Sequence, residues 1–140
     1  MIEPSLQFQS AVRGALIADP TFAALVEASN VRSGGGRPGT EPCVIFGSSD
    51  TELLGYAAGG QLLARVFLTC HVWCPEDGAD TGKSVGFALL NALVKPPADG
   101  ADHWFHDYQK PALAWVRDPS PDGAWTHGVC ELEAVVRWKV

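Results

Sequence analysis

The sequence predicts a single α+β domain in which a mainly antiparallel sheet packs against a central helix and an N-terminal helix. The stretch Ala64–Cys74 has an apolar residue at every even position and mixed side chains at odd positions, a pattern typical of a half-buried strand. The following stretch, Val85–Leu93, carries apolar residues at helical spacing. Near the C-terminus, Thr126–Val140 alternates as cleanly as the first stretch. Because a strand and a helix that each have one apolar side can bury one another, we place the first two at the centre of the fold.

Two helices are predicted before the first strand. Apolar residues in Phe8–Leu16 recur at helical spacing, which predicts an amphipathic helix that begins near Pro4 or Ser5. Asp19 followed by Pro20 ends this helix and suits the start of a second one, with Asp19 as N-cap and Pro20 at the first helical position. The apolar side of this short second helix consists of Phe22, Leu25 and Val26.

The middle of the chain is predicted to contain one short strand between two loops. Glycines dominate the stretch 32–42, so we expect a flexible loop there, centred on Gly34–Gly36. Cys43–Gly47 follows as a short strand. Three glycines within Asp50–Gly60 argue against regular structure, and we predict a long loop leading into the central strand.

The last third of the chain is predicted to form strands only. Two prolines after Lys95 end the central helix, and Trp104–Tyr108 and Ala112–Asp118 are two separate strand candidates. The turn-forming segment Asp118–Gly123 joins the second candidate to a final strand over Thr126–Arg137, which predicts a hairpin. The predicted order is therefore α-α-β-β-α-β-β-β.

Charge and composition exclude several classes of protein. The 140 residues carry a formal net charge of −6 and contain no cluster of Lys or Arg, so sequence-reading contacts to DNA are not expected. No apolar run approaches the roughly 20 residues of a membrane span, and the N-terminus does not read as a signal peptide. We expect the protein to begin in the cytoplasm with reduced cysteines, and Cys70, Cys74 and Cys130 to act as small core residues.

The segment Gly78–Ser84 resembles a phosphate-binding loop, since it ends in Gly-Lys-Ser between a strand and a helix. A phosphate loop needs four residues between its first glycine and the Gly-Lys-Ser, whereas this segment has three. The favoured interpretation is a polar loop that caps the helix, with Asp80 or Thr81 as N-cap. A small nucleotide-binding enzyme remains the alternative from a different functional class.

No other motif predicts catalysis or metal binding. His103, His106 and Asp107 lie close in sequence, as do His71 and Cys74, but neither group has the paired spacing of a structural zinc site. The sequence contains no Gly-x-Ser-x-Gly elbow, and Cys43 has no basic neighbour that would lower its pKa. Glu131 and Glu133, with Arg137, are interpreted as a solvated charged strand face. We therefore predict no active site, no cofactor and no metal.

Five tryptophans are many for a chain of this length, and three of them, Trp73, Trp115 and Trp125, fall at or near predicted strand ends. Packing within the subunit is one interpretation of these side chains. A subunit interface is the other, because tryptophan is enriched in the centres of such interfaces. The sequence leaves both open.

Two motifs in a fixed order resemble a known family. They are Leu68–Cys74, with its His-Val-Trp core, and Val116–Val129, with Arg-Asp-Pro followed by Gly and His-Gly. An Asp-Pro segment over Asp19–Leu25 precedes them. Together they resemble the tail terminator or tail completion proteins, the head–tail joining proteins of tailed phages, prophages and gene transfer agents. The resemblance covers nearly the whole chain.

The resemblance implies a non-enzymatic virion protein that forms a ring, typically a hexamer, at the head-proximal end of the tail tube. Such a ring ends tube polymerisation, helps join tail to head, and contacts the tail tube protein and a head–tail connector or stopper protein. DNA passes through its channel without sequence-specific binding. The protein would assemble in the host cytoplasm and then reside in the virion. A head-completion or adaptor protein on the portal side is the alternative within the same class.

A ring also requires contacts between subunits, and closure requires that two different patches of each subunit meet. We expect exposed strand edges, the glycine loop and the segment 50–60 to contribute to these contacts. The predicted interface residues are Trp73, Trp115, Arg117, Trp125, His127, Gly35 and Tyr56.

Overall fold

Three helices cover one face of a five-stranded sheet in the computed structural model, which describes residues 3–34, 39–117 and 124–140. This α+β architecture confirms the predicted fold class, and the observed order of elements is α-α-β-β-β-α-β-β. None of the helices in the described ranges is long and apolar enough to cross a membrane. The elements are α1 Pro4–Ala18, α2 Pro20–Ala23, β1 Val31–Ser33, β2 Cys43–Ala57, β3 Gln61–Pro75, α3 Asp80–Ala92, β4 His103–Val116 and β5 Trp125–Lys139.

The strand order in the sheet is β1-β2-β3-β5-β4. β1 is a short strand parallel to β2, and all other neighbours are antiparallel. β3, the strand predicted to be central, lies in the middle and pairs along its whole length with β5. The last strand in the chain is therefore placed inside the sheet, and β4 forms one of its two outer edges.

The core lies between the helices and the even-numbered residues of β3 and β5. From Ala64 to Cys74, every even-numbered residue of β3 is buried, as the alternation predicts. α1 contributes three fully buried side chains, and the Phe8 ring packs against Phe105 and Tyr108 at centroid distances of 5.7 and 6.4 Å. The Tyr108 hydroxyl donates a hydrogen bond of 2.6 Å to the carbonyl of Leu93, so β4 is also tied to the end of α3.

Both N-terminal helices are capped by carboxylates. Asp19 accepts a hydrogen bond from the Phe22 N–H at 2.9 Å, which confirms the predicted cap of α2. Glu3 caps α1 and also accepts a hydrogen bond of 2.9 Å from the Thr51 hydroxyl. The start of α1 is therefore joined to the middle of β2.

The prediction of a long loop over 50–60 is wrong, because β2 continues to Ala57 before a single 3₁₀ turn leads into β3. The glycines that suggested a loop occupy special positions of one long hairpin. Gly55 has a φ of +124° at a bulge in the pairing, and Gly59 and Gly60 have φ values of +77° and +73° in the turn. Glycine adopts these conformations without the steric cost that a Cβ brings.

Two other boundaries also differ from the predictions. The strand candidates 104–108 and 112–118 are one strand, β4, which is bent by two irregularities around Asp107 and Pro111. Proline is tolerated there because β4 is an edge strand, where a missing N–H does not break an internal ladder. Arg32 and Ser33, predicted to be loop, belong to β1. Residues 35–38 and the predicted turn 118–123 lie outside the described residues.

All four cysteines are free and buried, as predicted for Cys70, Cys74 and Cys130. Burial raises the pKa of the Cys43 thiol to about 11 and that of Cys74 to about 12. The hydrogen bond with Cys130, its direct cross-strand partner, together with burial raises the pKa of Cys70. Because the thiolate is the reactive form, these side chains are poor nucleophiles in the folded state.

We therefore expect none of the four thiols to react with Ellman's reagent at pH 8 in the native protein. All four should react once the chain is unfolded in guanidinium. Absorbance at the end point of each titration gives the number of reactive thiols. Fast labelling of one or more thiols in the native protein would contradict the burial described above.

Candidate subunit interface

The side of the sheet opposite the helices, here called the uncovered face, carries the odd-numbered residues of the two central strands. β3 contributes Arg65, Phe67, Thr69, His71 and Trp73, which are half-buried or exposed. No helix of the described chain packs on this side. The mixed apolar and charged composition predicted for the odd positions of β3 is therefore the composition of a surface.

Three aromatic rings stack at one end of the uncovered face. Trp73 pairs with His127 across β3 and β5, and their rings lie parallel with centroids 3.7 Å apart. Nδ1 of His71 lies 2.9 Å from Nε2 of His127, so one imidazole donates a hydrogen bond to the other. Burial lowers the pKa of His71, which favours its neutral form. Two of the predicted interface residues, Trp73 and His127, thus form one rigid cluster.

Charged side chains occupy the middle of the uncovered face. One nitrogen of Arg65 contacts a carboxylate oxygen of Asp107 at 3.2 Å and one of Glu133 at 2.9 Å. These two hydrogen bonds raise the pKa of Arg65. A shallow depression of about 390 Å³ beside the cluster is lined by Asp50, Glu131 and other side chains. Carboxylates therefore outnumber cations in this part of the uncovered face.

Trp115 points to the opposite side of the sheet, where it packs over three glycines. A Cβ on Gly86 of α3 would lie 2.8 Å from the ring, and one on Gly128 of β5 would lie 2.9 Å from it. Gly82 is the third, at 3.5 Å. The ring is 36% exposed, so the absence of side chains at these glycines lets it close the gap between α3 and the sheet.

Four of the predicted interface residues, Trp115, Arg117, Trp125 and His127, line a second shallow depression at one end of the sheet. Trp125 is half-buried opposite Pro75, and the exposed Arg117 lies near it. Tyr56 is at the other end of the sheet, near the tip of the β2–β3 hairpin. Gly35 lies outside the described residues. Five of the seven predicted residues therefore lie close together, since Trp73 stacks on His127, and Tyr56 lies apart from them.

The tip of the β2–β3 hairpin is apolar and solvent-exposed. Tyr56 is 82% exposed and Leu53 is 65% exposed, and Leu54 next to them is also exposed. These residues, together with the carboxylates of Asp50 and Glu52, belong to a strand at the edge of the sheet. This surface was missed in the sequence because a loop was predicted there. The alternation is interrupted by Gly55 at a bulge, so periodicity alone did not reveal this surface.

The loop before α3 does not have the geometry of a phosphate site. Asp77 accepts hydrogen bonds from both the backbone N–H and the hydroxyl of Thr81, and Glu76 accepts one from the Gly78 N–H at 2.7 Å. Donors that a phosphate would require are thus already bonded to carboxylates, which would also repel it. The cap prediction is wrong in detail, since the N-cap is Ala79 in the left-handed conformation rather than Asp80 or Thr81.

In the ranges that the structure describes, no group of three or more His, Cys, Asp or Glu side chains is arranged to hold a metal ion. His71 and Cys74 point to opposite faces of β3, because residues of odd and even number alternate across a strand. The depression lined by Asp50, Lys110 and Glu131 is polar but shallow. What the geometry offers is extended surface with two free sheet edges.

Comparison with protein families finds a match over most of the chain. The model of the family described as tail completion protein gp17 matches residues 10–137. The chain belongs to this family. The match includes α3 and every strand of the sheet, so it covers the surfaces described above.

A solved structure supports the same fold. A chain of the virion of a native gene transfer agent particle aligns with a TM-score of 0.66 and 22% identity, over 92% of this chain and 93% of that chain. Comparison with curated proteins finds no match. The family assignment and the fold thus agree with the resemblance read from the Leu68–Cys74 and Val116–Val129 motifs.

Proposed function

We propose that this protein forms a ring at the head-proximal end of a tail tube, ends polymerisation of the tube and helps to join the tail to the head. The observation that carries the proposal is the match of the tail completion family over residues 10–137. The ring is a homo-oligomer, with six subunits as the expected number. It is a structural component without catalytic activity, assembled in the host cytoplasm and retained in the virion.

The partners in this proposal are the tail tube protein on one side of the ring and a head–tail connector or stopper protein on the other. DNA passes through the central channel. The excess of carboxylates in the middle of the uncovered face supports this role, because a negatively charged wall does not retain a negatively charged polymer. Side chains with a net positive charge would bind the phosphate backbone and slow its passage.

Electron microscopy of particles produced without this gene tests the proposal. We expect overlong tails without heads beside DNA-filled heads without tails, because nothing then ends the tube or joins it. Complementation with the gene in trans is the control and should restore complete particles. Tails of normal length that fail to join heads would instead favour a head-completion or adaptor protein on the portal side. Normal particles would contradict both roles.

The nucleotide-binding alternative is tested separately by calorimetric titration with ATP and magnesium. The hydrogen bonds that Glu76 and Asp77 make within the loop predict no binding. Binding that is lost in Lys83→Ala would support the enzyme class and contradict the structural role proposed here.

A further inference from the structure

The sheet ends in two free strand edges. β1 pairs with β2 only at Val44–Phe46, so the outer edge of β2 from Gly47 to Ala57 has no strand partner among the described residues. At the opposite side of the sheet, β4 is the terminal strand. Its first residues are already bonded within the subunit, because the Gly100 N–H donates to the His103 carbonyl and the Phe105 N–H donates to Asp99, so the free part of this edge begins at His106. A free edge presents unpaired N–H and C=O groups and is a template for pairing with another chain.

The directions of the two edges are complementary. From β2 through β3 and β5 to β4, each neighbour is antiparallel to the last, so β2 and β4 run in opposite directions. Subunits of a ring whose axis lies along the strands keep their strand directions from one copy to the next. β2 of one copy would therefore meet β4 of the next in antiparallel orientation, and the contact would join two different patches, as ring closure requires.

The two edges also carry opposite charge. The free part of β2, Gly47–Ala57, contains the carboxylates of Asp50 and Glu52 and no Lys or Arg. The free part of β4, from His106 onward, contains Lys110 and one histidine. Its single carboxylate, Asp107, contacts Arg65 at 3.2 Å within the same subunit.

The charges lie at matching heights in the sheet. One cross-strand row runs from Asp50 to Phe67, on to Glu133 and then to Gln109. Asp50 and Gln109 are thus at opposite ends of one row, and Lys110 follows Gln109 in the chain. If the sheet continues into a second copy, Asp50 of one subunit comes level with this basic segment of its neighbour.

We propose that the subunits of the ring join by antiparallel pairing of the β2 edge, Gly47–Ala57, of one copy with the segment His106–Ala112 of the β4 edge of the next. The pairing stops at Ala112 because β1 occupies β2 beside Val44–Phe46. This inference rests on the ring of the proposed function and names the surface that builds it. The occupant of each edge is a second copy of this chain. Opposite charges at Asp50 and Lys110 select this pairing, since charge complementarity favours the correct partner and register.

Exposed apolar side chains near the hairpin tip also support the proposed pairing. Leu53 and Tyr56 lie in register with the buried-face residues Ala64 and Leu62, yet they are 65% and 82% exposed. They extend the helix side of the sheet where no helix of their own subunit covers it. In the proposed pairing, the helix layer over β4 of the next copy lies beside them and shields them from water.

Cross-linking in assembled particles tests the pairing. Particles are produced with Asp50→Cys and Lys110→Cys on one chain and treated with a short bismaleimide. This reagent does not reach the four native cysteines, because they are buried. We expect a ladder of covalent multimers up to the full ring. The matched control carries Asp50→Cys and Glu27→Cys. Glu27 is also exposed, but it lies just before β1, next to β2 and far from β4 in the order of strands. That control should stay monomeric.

The outcomes test the proposed interface and the proposed tail role separately. Particles that contain the protein but yield no multimers from the Asp50/Lys110 pair would overturn the proposed pairing and leave the tail role standing. Complete particles that lack the protein would overturn the tail role itself. The fraction of the protein that co-purifies with particles is measured in the same gel.

Charge exchange provides a second test that needs no cross-linker. Asp50→Lys and Lys110→Asp each place like charges together, and we expect each to lower the yield of complete particles about tenfold, which corresponds to about 1.4 kcal/mol. The double variant restores opposite charges and should recover most of that yield. A double variant that is no better than either single one would overturn the pairing.

Discussion

Val72→Asp is expected to unfold the protein. Val72 is fully buried on the helix side of β3 and pairs with Val44 and Gly128, neither of which offers the carboxyl group a hydrogen bond from its side chain. Burying a carboxylate without a partner costs several kcal/mol. That cost is comparable with the whole free energy of unfolding of a small domain, about 5–15 kcal/mol.

Circular dichroism and the midpoint of denaturation in urea measure this outcome. The matched control is Phe67→Lys on the other side of the same strand, where the new charge lies between Asp50 and Glu133. Phe67 is 38% exposed, so this variant should remain folded with a smaller loss of stability. A folded Val72→Asp variant beside an unfolded Phe67→Lys variant would mean that the two faces of β3 are assigned the wrong way round.

Phe8→Ala is expected to lower the free energy of unfolding by about 3–5 kcal/mol, the range seen when a buried phenylalanine is truncated. The side chain is fully buried, and its ring contacts Phe105 and Tyr108 of the edge strand β4. The loss therefore leaves a cavity where α1 and β4 both meet the core.

Leu6→Ala on the same helix is the control for this prediction. Its side chain is 52% exposed, and we expect a loss of less than about 1 kcal/mol. Urea denaturation of both variants, followed by fluorescence and circular dichroism, gives the two differences. Equal losses would show that α1 does not depend on its buried face.

Much of the fold was predictable because alternation and helical spacing are undisturbed in the elements that form the core. The central strand, the final strand and the N-terminal helix were each predicted from such patterns. Prediction failed where the chain leaves the regular pattern. Gly55 at a bulge concealed the second half of β2, and Pro111 at an irregularity divided β4 into two candidates.

The same two errors concealed the surfaces that we propose to join subunits. Asp50 and Lys110 were not recognised as residues of two edge strands, because neither segment was predicted as a continuous strand. The aromatic interface candidates were easy to select from the composition of the sequence, but the face of the sheet on which each one lies was harder to predict. Trp73 and His127 share one face, whereas Trp115 lies on the other among glycines, a position that depends on the register of β4 with β5.

The position of β5 has a consequence for the order of events during synthesis. β5 occupies residues 125–139, after every other strand, yet it lies between β3 and β4. β4 has no neighbour to pair with until β5 leaves the ribosome, and the pairs between β3 and β5 join residues that are 50 to 78 positions apart in the sequence, from Pro75↔Trp125 to Gln61↔Lys139. Closing such a long separation in sequence is slow compared with forming a local hairpin. A nascent chain therefore lacks the β4 edge until β5 has been made and has left the ribosome. Under the subunit pairing proposed above, a partly made subunit cannot join another copy by that edge.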